Sequence, residues 1–198
     1  MDSILSQTLP DWELIVCDSR SDDGSCAFFG KFKNDPRIKL HQVPRAGVYA
    51  GWNECLRRVT GRYVHVATAD DTCRPDFLER MVAALERQPD AGLAVCQFDF
   101  IDHEGRVLDP PPRRRLDTFY GRWLETPHRR PGETEVLIHL FVGIPWTTAG
   151  ALVFRSSLLN RTGPFREDAG GDADRYWSLR ASLHADTISL PERMATWR

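Results

Sequence analysis

With 198 residues, 41% of them hydrophobic and 27% charged, the chain is sized for one globular domain (1–198) with a sizeable core, and two domains are disfavoured. Twenty-six basic against 28 acidic residues leave a formal charge of −2, which excludes a global field drawing the protein to nucleic acid or to a membrane surface. Five cysteines without C-x-x-C spacing argue against a disulfide framework or zinc ribbon and predict reduced thiols, Cys17 and Cys96 within apolar strand patterns. The longest apolar run, residues 136–146, carries His139 and Pro145 and falls short of the ~18 residues of a membrane span. No signal peptide precedes the first motif, so the expectation is a cytoplasmic protein, at most peripheral to a membrane.

Residues 1–8, with Ile4 and Leu5 for a core, read as the tail of a helix. Residues 12–17 (WELIVC) predict a buried strand ending at Asp18. The segment SRSDDGS at 19–25 is dense in side chains that bond their own backbone, so it is a loop, followed by a short helix to about Lys33. Residues 37–43 alternate as a second strand. A turn at 44–47 then leads into a helix over 48–59, where Ala50, Asn53 and Leu56, with Trp52 and Cys55, fall on neighbouring faces.

The stretch YVHVATADD, 63–71, is the one the rest serves. Tyr63, Val64, Val66 and Ala67 predict a short strand buried on both faces, and two acids, Asp70 and Asp71, stand where it stops. In a parallel sheet the carboxyl end of a strand borders the ligand crevice, and paired carboxylates there suit Mg²⁺ or Mn²⁺ completed by water and phosphates. The competing reading is a strand-to-helix turn in which Asp71 or Thr72 caps the helix opening near Pro75. That helix carries Phe77, Leu78, Met81, Val82 and Leu85 on one stripe, opposite Arg80, Glu86 and Arg87, and ends before Pro89.

Residues 93–101 (LAVCQFDFI) predict another strand, giving the order αβαβαβαβ with short connections. Such alternation predicts an α/β layer fold with a mainly parallel sheet and helices on both faces. The character changes over 105–147, where Pro110 to Pro112, Arg113 to Arg115, Arg129 and Arg130 make an irregular excursion within the domain. Helices at 133–141, 156–161 and 174–183 and strands at 149–154 and 187–190 complete the expectation. Because parallel strands are joined by crossover helices, a chain opening on a helix lacks the strand that should feed it.

Four segments in order resemble the family 2 glycosyltransferases of GT-A fold. SILSQTLPDWELIVCDSRSDDGS (3–25) is similar to the family's helix, second strand and D-x-x-S-x-D-G loop, and RAGVYAGWNECLRRVTGRYVHVATADD (45–71) to its asparagine-bearing helix and D-x-D strand. AGALVFRSSLLNRTGPF (149–165) resembles the acceptor-side strand and G-x-F turn, and GDADRYWSLRA (171–181) the acid-bearing helix. The match spans nearly the whole chain apart from 105–147. It implies a GT-A, Rossmann-like sheet missing its first strand, and an inverting, Mg²⁺- or Mn²⁺-dependent transfer from a nucleoside-diphosphate sugar, UDP-linked by preference. The acceptor would be a saccharide, lipid or protein hydroxyl, with no nucleic-acid partner and no integral membrane segment.

Residue by residue, the resemblance implies that Asp18 accepts the N–H of a uracil-type base, against an Asx turn, and that Asp23 supports the ribose or its loop, against a solvated turn acid. Asn53 would bond the nucleotide or order the neighbouring loop. Thr68 stands where D-x-D has its first, ribose-facing acid, Asp70 matches the metal-binding acid, and Asp71 is its neighbour or a cap. Asp174 matches the catalytic aspartate, Ala173 replaces a glutamate common in the family, and Asp172 is the fallback; either acid would also suit a helix cap.

Arg113 to Arg115 with Arg129 and Arg130 would clamp phosphates or meet an anionic acceptor, against plain solvated loop charge. His103 and His139 read as ordinary polar or core residues, and Trp146 and Trp177 as a sugar floor or core. The Q-x-x-R-W signature of processive synthases is absent, which favours single-sugar addition. Two rivals remain: a sugar nucleotidyltransferase, for which no Gly-rich phosphate loop is present, and a non-catalytic remnant of the fold, which the missing opening strand supports.

Overall fold

A computed structural model describes residues 1–109, 120–143 and 148–198. In chain order it contains α1 (Asp2–Leu5), β1 (Leu14–Asp18), α2 (Ser25–Gly30), β2 (Ile38–Gln42), α3 (Val48–Leu56), β3 (Tyr63–His65), α4 (Phe77–Arg87) and β4 (Ala91–Phe100). Beyond these come β5 (His128–Arg130), α5 (Gly132–Phe141), β6 (Leu152–Arg155), α6 (Leu159–Thr162), α7 (Ala173–Ser182) and β7 (Asp186–Trp197), linked in part by short 3₁₀ turns. The alternation of strand and helix expected from the hydrophobic pattern is therefore the one found.

Five strands form one sheet in the order β3-β6-β4-β7-β5, and β1 and β2 form a separate parallel pair. Parallel pairing holds for β1–β2 and β4–β7, while β6 runs antiparallel to both β3 and β4, and β5 antiparallel to β7. The direction of β6 follows from the excursion. The chain leaves β4 at its carboxyl end and returns beside Asp71 at Thr148, on the same rim, so β6 can only run back down. Since β3, β4 and β7 share one direction, their carboxyl ends line that rim. Among the described residues no strand joins β1 to β3, in keeping with an absent opening strand.

Successive side chains of a strand face opposite sides, and β4 divides its residues accordingly. Ala94, Cys96 and Phe98 pack with Phe77, Met81 and Leu85 of α4, together with Val153, Ile188 and Met194. Leu93 and Val95 pack with Val64, Leu152, Phe154, Phe165, Trp177 and Ala181, with Tyr49, Trp52 and Leu56 of α3 against them. Helices thus cover both faces, and β4, buried along nearly its whole length, is the central strand. Full burial of a side chain such as Phe77 contributes about 1.5–3 kcal/mol.

Three expectations change. The strand before Asp70 spans only Tyr63–His65, and of its three residues Val64 alone is buried, because the strand pairs on one side only, with β6. The closing strand does not stop at Leu190: the register against β4 jumps from Cys96↔Leu190 to Gln97↔Arg193, so Pro191 and Glu192 bulge out and pairing resumes. Met194 then buries its side chain completely and its carbonyl accepts from Arg74 N at 2.8 Å. The third is β5, inside the stretch expected to be irregular, where Arg129 and Arg130 pair with Ile188 and Thr187.

Candidate active site

Asp18 is the last residue of β1 and only 5% exposed. Both its carboxylate oxygens lie 3.3 Å from Ser21 N, which donates to them across the turn. The turn forces Arg20 to a φ of 56°, the left-handed region that a bulky side chain seldom occupies. Arg45 offsets that strain: its guanidinium donates to Arg20 O at 2.9 Å and Ser19 O at 3.4 Å, with Asp22 at 3.8 Å. Asp23, exposed, accepts from Ser25 N at 2.9 Å at the start of α2, and those bonds to Ser25 hold its carboxyl below the usual range. The observed contacts of Asp18 and Asp23 are thus turn contacts, though each carboxylate keeps further acceptor sites.

Asn53 is 2% exposed and brackets the chain preceding α7. Its Oδ1 accepts from Phe165 N at 2.9 Å, and its Nδ2 donates to Phe165 O at 2.9 Å and to Glu167 Oε1 at 3.0 Å. Of the two roles expected for it, ordering the neighbouring loop is the one these bonds perform. Phe165 in turn stacks on Tyr49 at 5.9 Å and on Trp177 at 5.2 Å, so an aromatic wall joins α3 to α7.

Beyond β3, Asp71 is committed to its surroundings. Its Oδ2 accepts from the hydroxyls of Thr68 at 2.6 Å and Thr148 at 3.3 Å, and its Oδ1 from Arg198 N at 3.0 Å. A Cβ on Gly150 would sit 3.3 Å from Asp71 Oδ2, so the glycine allows this approach. Residues 72–74 are meanwhile bonded to the far end of β7, through Thr72 and Thr196 and through Arg74 and Met194. The anchored turn leaves Asp70 exposed, with no hydrogen bond or ion pair to the described residues.

Asp174 lies in the first turn of α7, with Asp172 at its N-cap position, where negative charge is favoured by the helix dipole. Asp174 Oδ1 accepts from Arg175 N at 2.6 Å, and Arg175 Nη2 donates to His139 O at 3.3 Å, tying this turn to α5. Burial, with the charges of Asp174 and Asp172, pushes the Tyr49 hydroxyl up, so the Tyr49 side chain of α3 faces that turn.

The helix α3 is therefore the bracket of the site. Its N-terminal side meets the Asp18 loop through Arg45 and through Gly51, whose Cβ position is 3.8 Å from Ser19 Oγ; Tyr49 meets Asp174, and Asn53 holds the loop before it. Val66, between β3 and Asp70, packs in the same cluster as Tyr49 and Trp177. Tyr49 and Arg45 escape sequence reasoning as functional positions, since a lone tyrosine or arginine near a turn carries no spacing signal.

Arg129 and Arg130 both have acidic partners within the protein, and Arg130 is enclosed with its partner and so removed from a phosphate clamp. Arg129 pairs with Asp186 at 2.7 Å, and Arg130, 3% exposed, pairs with the wholly buried Glu135 and with His128 Nε2 at 2.9 Å. A guanidinium enclosed with its counter-charge is structural. Arg113 to Arg115 and Trp146 lie outside the described residues. His139 is core, and burial followed by the nearby Arg175 charge lowers it to about 4; Trp177 is core as well, while His103 is exposed, 3.7 Å from Glu104.

The described residues contain no group of three His, Cys, Asp or Glu side chains arranged to hold a metal. The donor set nonetheless fits Mg²⁺ or Mn²⁺. One uncommitted carboxylate, Asp70, beside an anchored one, Asp71, matches ions that take one or two protein carboxylates and complete their shell with water and phosphate oxygens. The five cysteines are free thiols, and no described helix is long and apolar enough to cross a membrane.

Residues 1–159 match the family described as Glycosyl transferase family 2. The protein EpsE of Bacillus subtilis (strain 168) is 39% identical over 119 residues, covering 57% of this chain and 43% of EpsE, so the chain spans less than half the length of that relative. Among solved structures, TarS of S. aureus in complex with UDP aligns over 99% of this chain and 54% of its own, with a TM-score of 0.76 at 18% identity. The mannosyltransferase PcManGT from Pyrobaculum calidifontis, in complex with GDP-Man and Mn²⁺, aligns over 99% of this chain and 51% of its own, with a TM-score of 0.66 at 24% identity. At such identities the likeness speaks for the fold, and the expected GT-A arrangement is the one found.

Proposed function

The chain belongs to glycosyltransferase family 2, and on that premise we propose that it transfers a sugar, with inversion, from a nucleoside diphosphate, UDP by preference, to an acceptor hydroxyl. The observation that carries the reading is the meeting, across α3, of the strand-end loop of Asp18 with the helix turn of Asp174, beside the anchored turn that exposes Asp70. Asp18 accepts the base N–H on lone pairs that Ser21 leaves available. Asp23 supports the ribose side of the same loop, and Thr68 and Asp71 hold the turn that presents Asp70 to the diphosphate.

Asp174 takes the proton of the acceptor hydroxyl as that oxygen attacks the anomeric carbon, on the face opposite the departing diphosphate. Asn53 serves this step indirectly by fixing Phe165 and Glu167 ahead of α7. When bound at Asp70, Mg²⁺ or Mn²⁺ supplies positive charge against that growing on the leaving diphosphate. The acceptor is a saccharide, lipid or protein hydroxyl, modified one sugar at a time by a cytoplasmic or membrane-peripheral protein.

A second reading, a non-catalytic module of the same fold, is favoured by one observation: the sheet is divided between β1 and β3, beside Asp18. Calorimetric titration of UDP and other nucleoside diphosphates, with and without Mn²⁺, separates the two. Metal-dependent heat with one nucleotide, lost in Asp70→Asn, is the expected result; no heat with any of them selects the module.

A further inference from the structure

At the amino ends of β4 and β7, on the rim opposite Asp70, lies a hollow of about 370 Å³. It opens between the turn that leaves α4, the carboxyl end of β6 with α6, and the residues leading from α7 into β7. Gly92 makes its wall possible: a Cβ there would fall 2.4 Å from Ala185 Cβ, so glycine lets the chain entering β7 close on the start of β4.

Arg155, the last residue of β6 and half-buried, lines this hollow. Its Nε donates to Ala91 O at 2.8 Å, Nη2 to Leu85 O at 2.7 Å and Nη1 to the Tyr63 hydroxyl at 3.0 Å. The guanidinium is therefore fixed, while one N–H on each terminal nitrogen is left over. Among the described residues no carboxylate forms an ion pair with it. Glu86 is reached only through Tyr63, which donates to it at 2.6 Å, and Glu86 is already bound to Arg62 at 2.8 Å. A cation drawn partly out of water, held in place and left without a counter-charge favours an anion beside it. Arg161 and His184 border the same space, and among the described residues neither side chain has a hydrogen bond or ion pair. Asp90 is the single carboxylate of the lining, and Ser157 and Asn160 add a hydroxyl and an amide that are likewise unengaged among the described residues.

We propose that this hollow is a second ligand site, one that takes a small phosphate ester of sugar-phosphate size. The phosphoryl oxygens meet the two unspent N–H groups of Arg155 and the fork of Arg161, with His184 as a further donor. Asp90, Asn160 and Ser157 serve the hydroxyls of the sugar, the carboxylate accepting from them and the amide and hydroxyl both giving and accepting. A space of about 370 Å³ stands near the lower end of the ~300–1,000 Å³ of ligand pockets, which suits one sugar ring with its phosphate better than a whole nucleotide sugar. Because the hollow lies at the opposite ends of the strands from Asp70, the assignment is independent of what the other rim binds.

The test is a calorimetric titration of the full chain with glucose 1-phosphate, inorganic phosphate and glucose, each without nucleotide or metal. Saturable heat is expected with glucose 1-phosphate, several-fold weaker binding with phosphate, and none with glucose. Arg161→Glu should lower the affinity for glucose 1-phosphate at least about tenfold and His184→Ala by a smaller factor, whereas Arg122→Glu, the same charge change outside the hollow, should leave it within about twofold. Arg161 and His184 are exposed, so all three variants should melt with the parent, and UDP with Mn²⁺ added beforehand should not displace the ester. The assignment is overturned by the absence of heat at about 10 mM, ten times the Kd of a weak millimolar site, or by an affinity that Arg161→Glu leaves unchanged. Phosphate binding as tightly as the ester, or UDP competing with it, would equally overturn it, the first marking a bare oxyanion site and the second the other rim.

Discussion

Replacing Asn53 by alanine removes three hydrogen bonds at a side chain that is 2% exposed, and it strands both backbone groups of the buried Phe165. A buried polar group left without a partner costs about 1–3 kcal/mol, so two of them cost roughly 4 kcal/mol. The bond to Glu167 adds little, because that carboxylate is exposed and water replaces the lost donor. Alanine recovers about 0.5 kcal/mol as the better helix former within α3. The net expectation is a loss of about 3.5 kcal/mol, a large share of the ~5–15 kcal/mol that holds a domain folded. Urea unfolding of the parent and of Asn53→Ala measures it directly, as a lower midpoint at an unchanged slope. A variant within about 0.5 kcal/mol of the parent would refute the reasoning, since that is the range of surface substitutions. The loop it frees carries Phe165, stacked between Tyr49 and Trp177, so nucleotide binding is expected to survive better than transfer.

Asp174→Asn keeps the shape of the helix turn but cannot take a proton, so transfer measured by release of nucleoside diphosphate falls by about 10²-fold or more while UDP affinity stays within a few-fold; lost binding would reassign the residue. Burial works against ionisation of Glu13, but hydrogen bonds from Lys39 and Thr60 win and lower it from 4.5 to about 2. The stability this contributes is present above pH 4.5 and disappears as pH falls toward 2, so Glu13→Gln should flatten that part of the urea midpoint against pH. His139, neutral in the core, is lowered from 6.5 to about 4 by burial and then by Arg175. The unfolded imidazole takes its proton first, so stability is full above pH 6.5 and declines as pH drops through 4, a slope that His139→Leu should remove.

Local pattern carried much of the architecture. The amphipathic stripe of Phe77, Met81 and Leu85 reports burial through a side-chain period of 3.6, and in β4 the apolar run Leu93 to Cys96, followed by the alternation of Gln97, Phe98, Asp99 and Phe100, does so through a period of 2, neither of which needs knowledge of the partner. Asp18 at a strand end and Asp174 at a helix start are likewise legible, since turns and helix termini advertise themselves in short-range chemistry. The sequence alone therefore determined the order of elements, the α/β class with helices on both faces, and a short list of acids at element ends.

Only the tertiary structure decided what those residues touch. Arg130 looks like loop charge until Glu135 closes over it, and Pro191 looks like the end of a strand until Met194 finds Arg74 beyond the bulge. Asn53 becomes the clasp of Phe165, more than a hundred positions away along the chain, and Asp71 the anchor of Thr148 and Arg198, through bonds no local window contains. The physical reason is one of range: propensity and periodicity act within a few residues, whereas a buried ion pair, a strand register or a side-chain bracket exists only once distant segments have been brought together and water has been excluded between them.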